Sequence, residues 1–178
     1  WLVDAAMSPG KKVRINRKPP PPLPSIVKWK TADPQPGGVQ MVANPLAKDI
    51  YDTGSDVSPG GVNPIFRDKV GPQKLTRDGT KLYVEGHLLN NKLGGRGDEA
   101  RNLTPLSYKA NIGHWRASEK FLQNLMTDTS EDEPLAYYKV VVNYADHARR
   151  TRSPVIAAEG RLAERITVTY HKLKRKSA

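Results

Sequence analysis

An α+β fold is predicted, in which a strand–loop–strand–helix unit packs on an antiparallel sheet behind a basic, proline-rich arm. Three observations carry this. Residues 81–126 run KLYVEGHLLNNKLGGRGDEARNLTPLSYKANIGHWRASEKFLQNLM, with strand-like ends, a glycine-rich middle and a helical finish. YYKVVVNY (137–144) and RITVTYH (165–171) are rich in β-branched and aromatic residues and read as strands. The first 40 residues instead hold KKVRINRKPPPPLPSIVKWK followed by DPQPGG, a composition for extended polyproline segments without internal hydrogen bonds.

Residues 1–40 are therefore expected to be an arm or linker and 41–178 one domain, with its distinctive core at about 81–126. Turn signals crowd the stretch 41–80: Asn44-Pro45, Ser58-Pro59-Gly60-Gly61, Asn63-Pro64, Gly71-Pro72 and Asp78-Gly79. They leave no firm strand there. A strand is expected from Lys81 toward His87 and a second over Asn102–Leu106. A helix follows from about Tyr108 to Met126, capped by Ser107. Trp115, Leu122 and Met126 form its apolar stripe, and Asn111, four residues before Trp115, shares it. A buried amide needs partners, which a hydrated cation would supply. Thr127–Pro134 is an acidic loop, and 165–171 is expected to pair antiparallel with 137–144.

Charge narrows the function classes. The chain carries +11 with 29 Lys and Arg against 18 Asp and Glu, which draws polyanions and makes nucleic acid the expected partner. The absence of cysteine excludes disulfides and thiolate metal or redox chemistry. No apolar run approaches the roughly 20 residues of a membrane span, so no membrane partner is expected. LGGRGDE lacks the Gly-Lys-Ser/Thr ending of a phosphate loop. The chain starts at Trp1 and is expected to be a piece of something longer.

Gly86-His87-Leu88, then Asn102-Leu103-Thr104-Pro105, then Asn111, Trp115 and Glu119 make an ordered set, with nine residues from Asn102 to Asn111 and four between each later pair. This set resembles the ββα-metal (His-Me finger) nucleases, and within them the DNA/RNA non-specific endonucleases. It is also similar to toxin domains at the C-termini of bacterial effectors. The resemblance covers about 45 of the 178 residues. It implies a metal-dependent endonuclease of low sequence specificity, acting on DNA, RNA or both. His87 would be the general base and Asn111 the ligand of a single Mg²⁺, or Mn²⁺. Asn102 would orient His87 or the phosphate, and Glu119 would hold metal-bound waters. His114, three residues after Asn111, is a second candidate ligand, which would admit Zn²⁺ or Ni²⁺. Glu85 stands where the family has a phosphate-clamping arginine, and Arg96 and Arg101 are the expected substitutes. The same resemblance implies delivery within a larger secreted effector, action in a target-cell cytoplasm, and an acidic immunity or antitoxin protein as a second partner. The rival reading is a non-catalytic nucleic-acid-binding or injection-particle component.

Overall fold

A computed structural model describes residues 21–32, 37–58, 83–130, 133–144 and 162–175. The first twenty residues, the stretch 59–82 with most of the turn signals, and residues 145–161 lie outside the described residues. So do Lys81 and Leu82, the expected start of a strand.

One four-stranded antiparallel sheet has the order β1-β2-β5-β6, formed by β1 (Val27–Thr31), β2 (Gly38–Leu46), β5 (Leu135–Tyr144) and β6 (Ala163–Leu173). The expected pairing of the last two strands is present, running from Leu135 opposite Leu173 to Tyr144 opposite Ala163. Alternation explains the packing of β5: Ala136, Tyr138, Val140 and Val142 are buried on one face, while Tyr137, Lys139 and Val141 point the other way, half-buried. Met41 and Ala43 of β2 join the buried face, with Val27 and Trp29 of β1 against them.

β1 and β2 differ from the sequence expectation. The boundary placed at residue 40 falls inside β2, and part of the expected arm is an edge strand. Asn44-Pro45 belongs to the irregularity where the β2–β5 register shifts between Ala43 and Leu46. A proline at a bulge is compatible with a strand, so the turn reading failed there. Residues before β1 are tied down as well. The Ser25 hydroxyl accepts from the Ala47 amide at 2.8 Å, and the Arg175 guanidinium donates to the Pro21 carbonyl at 2.9 Å.

The second sheet is the pair β3 (Tyr83–His87) and β4 (Leu103–Ser107), antiparallel, with His87 opposite Leu103 and Gly86 opposite Thr104. β4 leads directly into α1 (Tyr108–His114), whose cap is Ser107, accepting from the Ala110 amide at 3.1 Å. A π-helical turn, Trp115–Glu119, joins α1 to α2 (Lys120–Thr127). The wide turn interrupts the expected stripe. Leu122 and Met126 are buried, but Trp115 is only half-buried and carries the Lys120 ammonium 5.7 Å from its ring. A π turn places more residues in one revolution than an α turn, so Ser118 and Glu119 come inward instead. Leu122, Leu125 and Met126 then pack with Leu88, Leu89 and Leu93 against the buried sheet face.

The loop after His87 is held by close backbone approach. A Cβ on Gly95 would lie 1.6 Å from the Leu89 carbonyl oxygen. Backbone cannot swing aside as a side chain can, so Gly95→Ala is expected to cost about 3 kcal/mol. A urea titration of that variant checks this; a midpoint equal to that of the wild type would show that the loop yields freely.

Candidate active site

His87 ends β3, and its Nε2 lies 3.0 Å from the Ser55 carbonyl oxygen. A carbonyl only accepts, so Nε2 carries the hydrogen and Nδ1 keeps the lone pair. Burial lowers the imidazole pKa, and the Ser55 contact and the Asp56 charge partly offset this. The ring is thus a neutral base at neutral pH, and Nδ1, which keeps the lone pair, has no hydrogen-bond partner among the described residues. Ser55 is itself fixed: its amide donates to the Gly95 carbonyl at 3.2 Å and its hydroxyl accepts from the Gly97 amide at 2.9 Å. Nothing in the sequence flags Ser55, because a backbone carbonyl leaves no residue-type signature.

Asn111 is half-buried on α1 and faces β3. Its Oδ1 lies 2.7 Å from the place a Cβ on Gly86 would occupy. Glycine at 86 therefore makes the room in which this oxygen sits, next to the residue that bears the base. In a plain α-helix, positions eight apart differ by about 80° around the axis. The π turn between Asn111 and Glu119 reduces that angle by slowing rotation per residue.

Glu119 is 3% exposed, and its Oε2 accepts from Asn90 Nδ2 at 3.1 Å while Oε1 is buried with no partner among the described residues. Burial raises its pKa to about 8 against the hydrogen bonds from Asn90. The folded chain thus keeps a proton on Glu119 between pH 4.5 and 8 that the unfolded chain has lost. Stability accordingly falls as pH rises through that window. Glu119→Gln is expected to melt several degrees above the wild type at pH 8 and close to it at pH 4.5. Calorimetry in chelator at both pH values checks this; equal melting temperatures at pH 8 would exclude a buried charge cost.

Two of the expected site residues make their hydrogen bonds within the fold. Asn102 is fully buried, and its side chain is spent on backbone: Oδ1 accepts from the Leu89 amide at 2.8 Å, and Nδ2 donates to the Leu89 and Arg96 carbonyls at 3.1 and 3.0 Å. These bonds shape the loop after His87. His114 is 5% exposed, its Nε2 lies 2.8 Å from the Tyr138 hydroxyl, and burial lowers its pKa to about 4. That nitrogen ties α1 to β5 through the Tyr138 hydroxyl.

Arg96 and Arg101 are exposed beside the loop. Arg96 pairs with Asp98 at 2.6 Å, and Arg101 pairs with Glu99 at 2.8 Å and lies 5.8 Å over the Trp29 ring. Exposed pairs of this kind are weak, so a phosphate can displace the carboxylates. Asn90 is the residue that sequence reasoning missed. It follows His87-Leu88-Leu89, donates to Glu119, and accepts through Oδ1 from the Lys92 amide at 2.9 Å and Gln123 Nε2 at 3.1 Å. One side chain thereby joins the loop to the helix. Asparagine just before a 3-10 turn (Asn91–Leu93) is a helix-start signal, but its reach to Glu119 is not.

The amide oxygen of Asn111 beside Gly86 fits a hard cation kept mostly in water, and the buried Glu119 carboxyl, bonded to Asn90, has an oxygen without a partner among the described residues. A cage of three or more acidic, histidine or cysteine ligands is absent among the described residues. No helix among them is long and apolar enough to cross a membrane.

A family model described as DNA/RNA non-specific endonuclease matches residues 63–160, more than half of the chain. No curated protein and no solved structure matches.

Proposed function

Since the chain belongs to the DNA/RNA non-specific endonuclease family, we propose that it hydrolyses phosphodiester bonds of DNA or RNA with a divalent cation, at a ββα-metal site made by β3, β4 and α1. The observation that carries this reading is the His87 geometry, a neutral imidazole with Nε2 committed to Ser55 and Nδ1 without a hydrogen-bond partner among the described residues.

His87 Nδ1 takes a proton from water, and the water oxygen attacks phosphorus as the bond to the 3′ oxygen breaks. Asn111 Oδ1 would hold a hydrated Mg²⁺ or Mn²⁺, with Glu119 accepting from its waters. When bound, the cation supplies charge stabilisation at the phosphate and at the leaving oxygen. Asn90 keeps Glu119 in place, and Asn102 keeps the loop that carries Asn90. Arg96 and Arg101 would grip the phosphate by exchanging their carboxylate partners for it. The proposal extends to delivery within a larger effector acting in a target-cell cytoplasm, held in check by an acidic immunity protein. Support for that part is the charge of +11.

Plasmid DNA and total RNA incubated with Mg²⁺, with Mn²⁺ or with chelator test the reading. Degradation that needs the cation is expected. Intact nucleic acid under every cation, from folded protein, would leave a binding domain without catalysis.

A further inference from the structure

The four-stranded sheet buries only one face. Its core residues, Met41, Ala43, Tyr138 and Val140 among them, all project toward the helices. By register, Lys28 and Lys30 of β1 lie on the opposite face with Lys139 of β5, because Lys28 and Lys139 both pair with Val42 of β2. Arg165, opposite Asn143, and the ring pair Tyr137–His171, whose centroids are 5.0 Å apart, lie on that face too. The four strands contain a single acidic residue, Glu164, beside the irregularity at the start of β6. Among the described residues none of Lys28, Lys30 and Lys139 has an ion pair.

An antiparallel sheet with one wet face is ordinary. A wet face whose charges are all of one sign is not what solubility asks for, since mixed charges serve that. Like charge argues against a second copy of the chain as occupant. Cations spread over a flat sheet, with stacked rings among them, match the way sheets carry nucleic-acid strands, through backbone charge and sequence-tolerant stacking.

We propose that this open sheet face is a second contact surface for the phosphate backbone of a nucleic-acid polymer, separate from the site at His87. It rests on the nuclease reading for the identity of the polyanion. It makes a long strand the substrate: the sheet grips one part of the polymer while His87 meets another.

The test uses the full chain with His87→Ala, so that bound DNA stays intact, and a labelled single-stranded oligonucleotide with its matching duplex. Lys28→Gln/Lys30→Gln/Lys139→Gln is compared with Lys48→Gln/Lys172→Gln/Lys174→Gln, which carries the same charge change off this face. Each single-strand phosphate contact contributes about 0.7 to the slope of log K against log salt, so the face triple is expected to lower it by about 2 and weaken low-salt binding at least roughly tenfold. The second triple should do less than half as much. Equal effects of the two triples, or wild-type binding by the face triple, would overturn the proposal. The same triples with His87 intact, assayed on a small nitrophenyl phosphodiester, report on the nuclease reading separately. Unchanged turnover there is expected of the face triple, whereas no turnover even without these substitutions indicts the catalytic site and not the sheet.

Discussion

His87→Ala is expected to lower turnover of DNA or RNA by about 10²–10⁴-fold, the span that removal of a positioned general base produces. The loss should fall on kcat, because in the proposed mechanism the imidazole acts on the water nucleophile while Arg96 and Arg101 stay in place. Little stability should be lost, since His87 is only partly buried and, among the described residues, its side chain bonds to the Ser55 carbonyl alone. Burial also gives the wild type a pH signature. With its pKa held below 6.5, His87 stays deprotonated as pH falls through 6.5, and activity is lost only once pH drops through the lower folded value. The acid limb of kcat/KM for the free enzyme should therefore lie below 6.5. Single-turnover assays across pH check both claims; a variant within tenfold of wild type would remove His87 from the mechanism.

Asn111→Ala should be nearly as damaging, at about 10²-fold or more, because even residues behind a metal's ligands typically cost 10–100-fold. Part of the effect should be recoverable by raising the Mg²⁺ concentration, since the waters and Glu119 remain. Gly86→Val is the companion variant. Any Cβ at 86 meets Asn111 Oδ1 at 2.7 Å and Leu106 Cδ2 at 2.6 Å, so the amide proposed to hold the cation has to shift even where the leucine tip yields. Both variants should need more Mg²⁺ for half-maximal rate while folding normally by circular dichroism. An unchanged Mg²⁺ requirement in Asn111→Ala would exclude this amide as the ligand.

Much of the site was legible because its parts are local. Ser107 caps the helix and Leu122 and Met126 face the core, as propensity and periodicity require. The order His87, Asn102, Asn111, Glu119 follows from a compact strand–loop–strand–helix. β2 was missed because Asn44-Pro45 signals a turn locally, and only pairing with β5 shows that the strand continues through it.

What the chain alone determined was the order of its chemistry-bearing residues and the helix and strands that carry most of them, since caps, alternation and helical spacing act within a few residues. Tertiary packing decided what each side chain does. The Ser55 carbonyl meets His87 across 32 positions and leaves the lone pair on Nδ1, Asn90 meets Glu119 across 29, and Tyr138 meets His114 across 24 and engages its Nε2. Asn102, with the spacing expected of a catalytic group, became a loop support because burial left backbone as its partner. A buried polar atom must bond to whatever the fold brings within about 3 Å, and sequence spacing does not encode that neighbour.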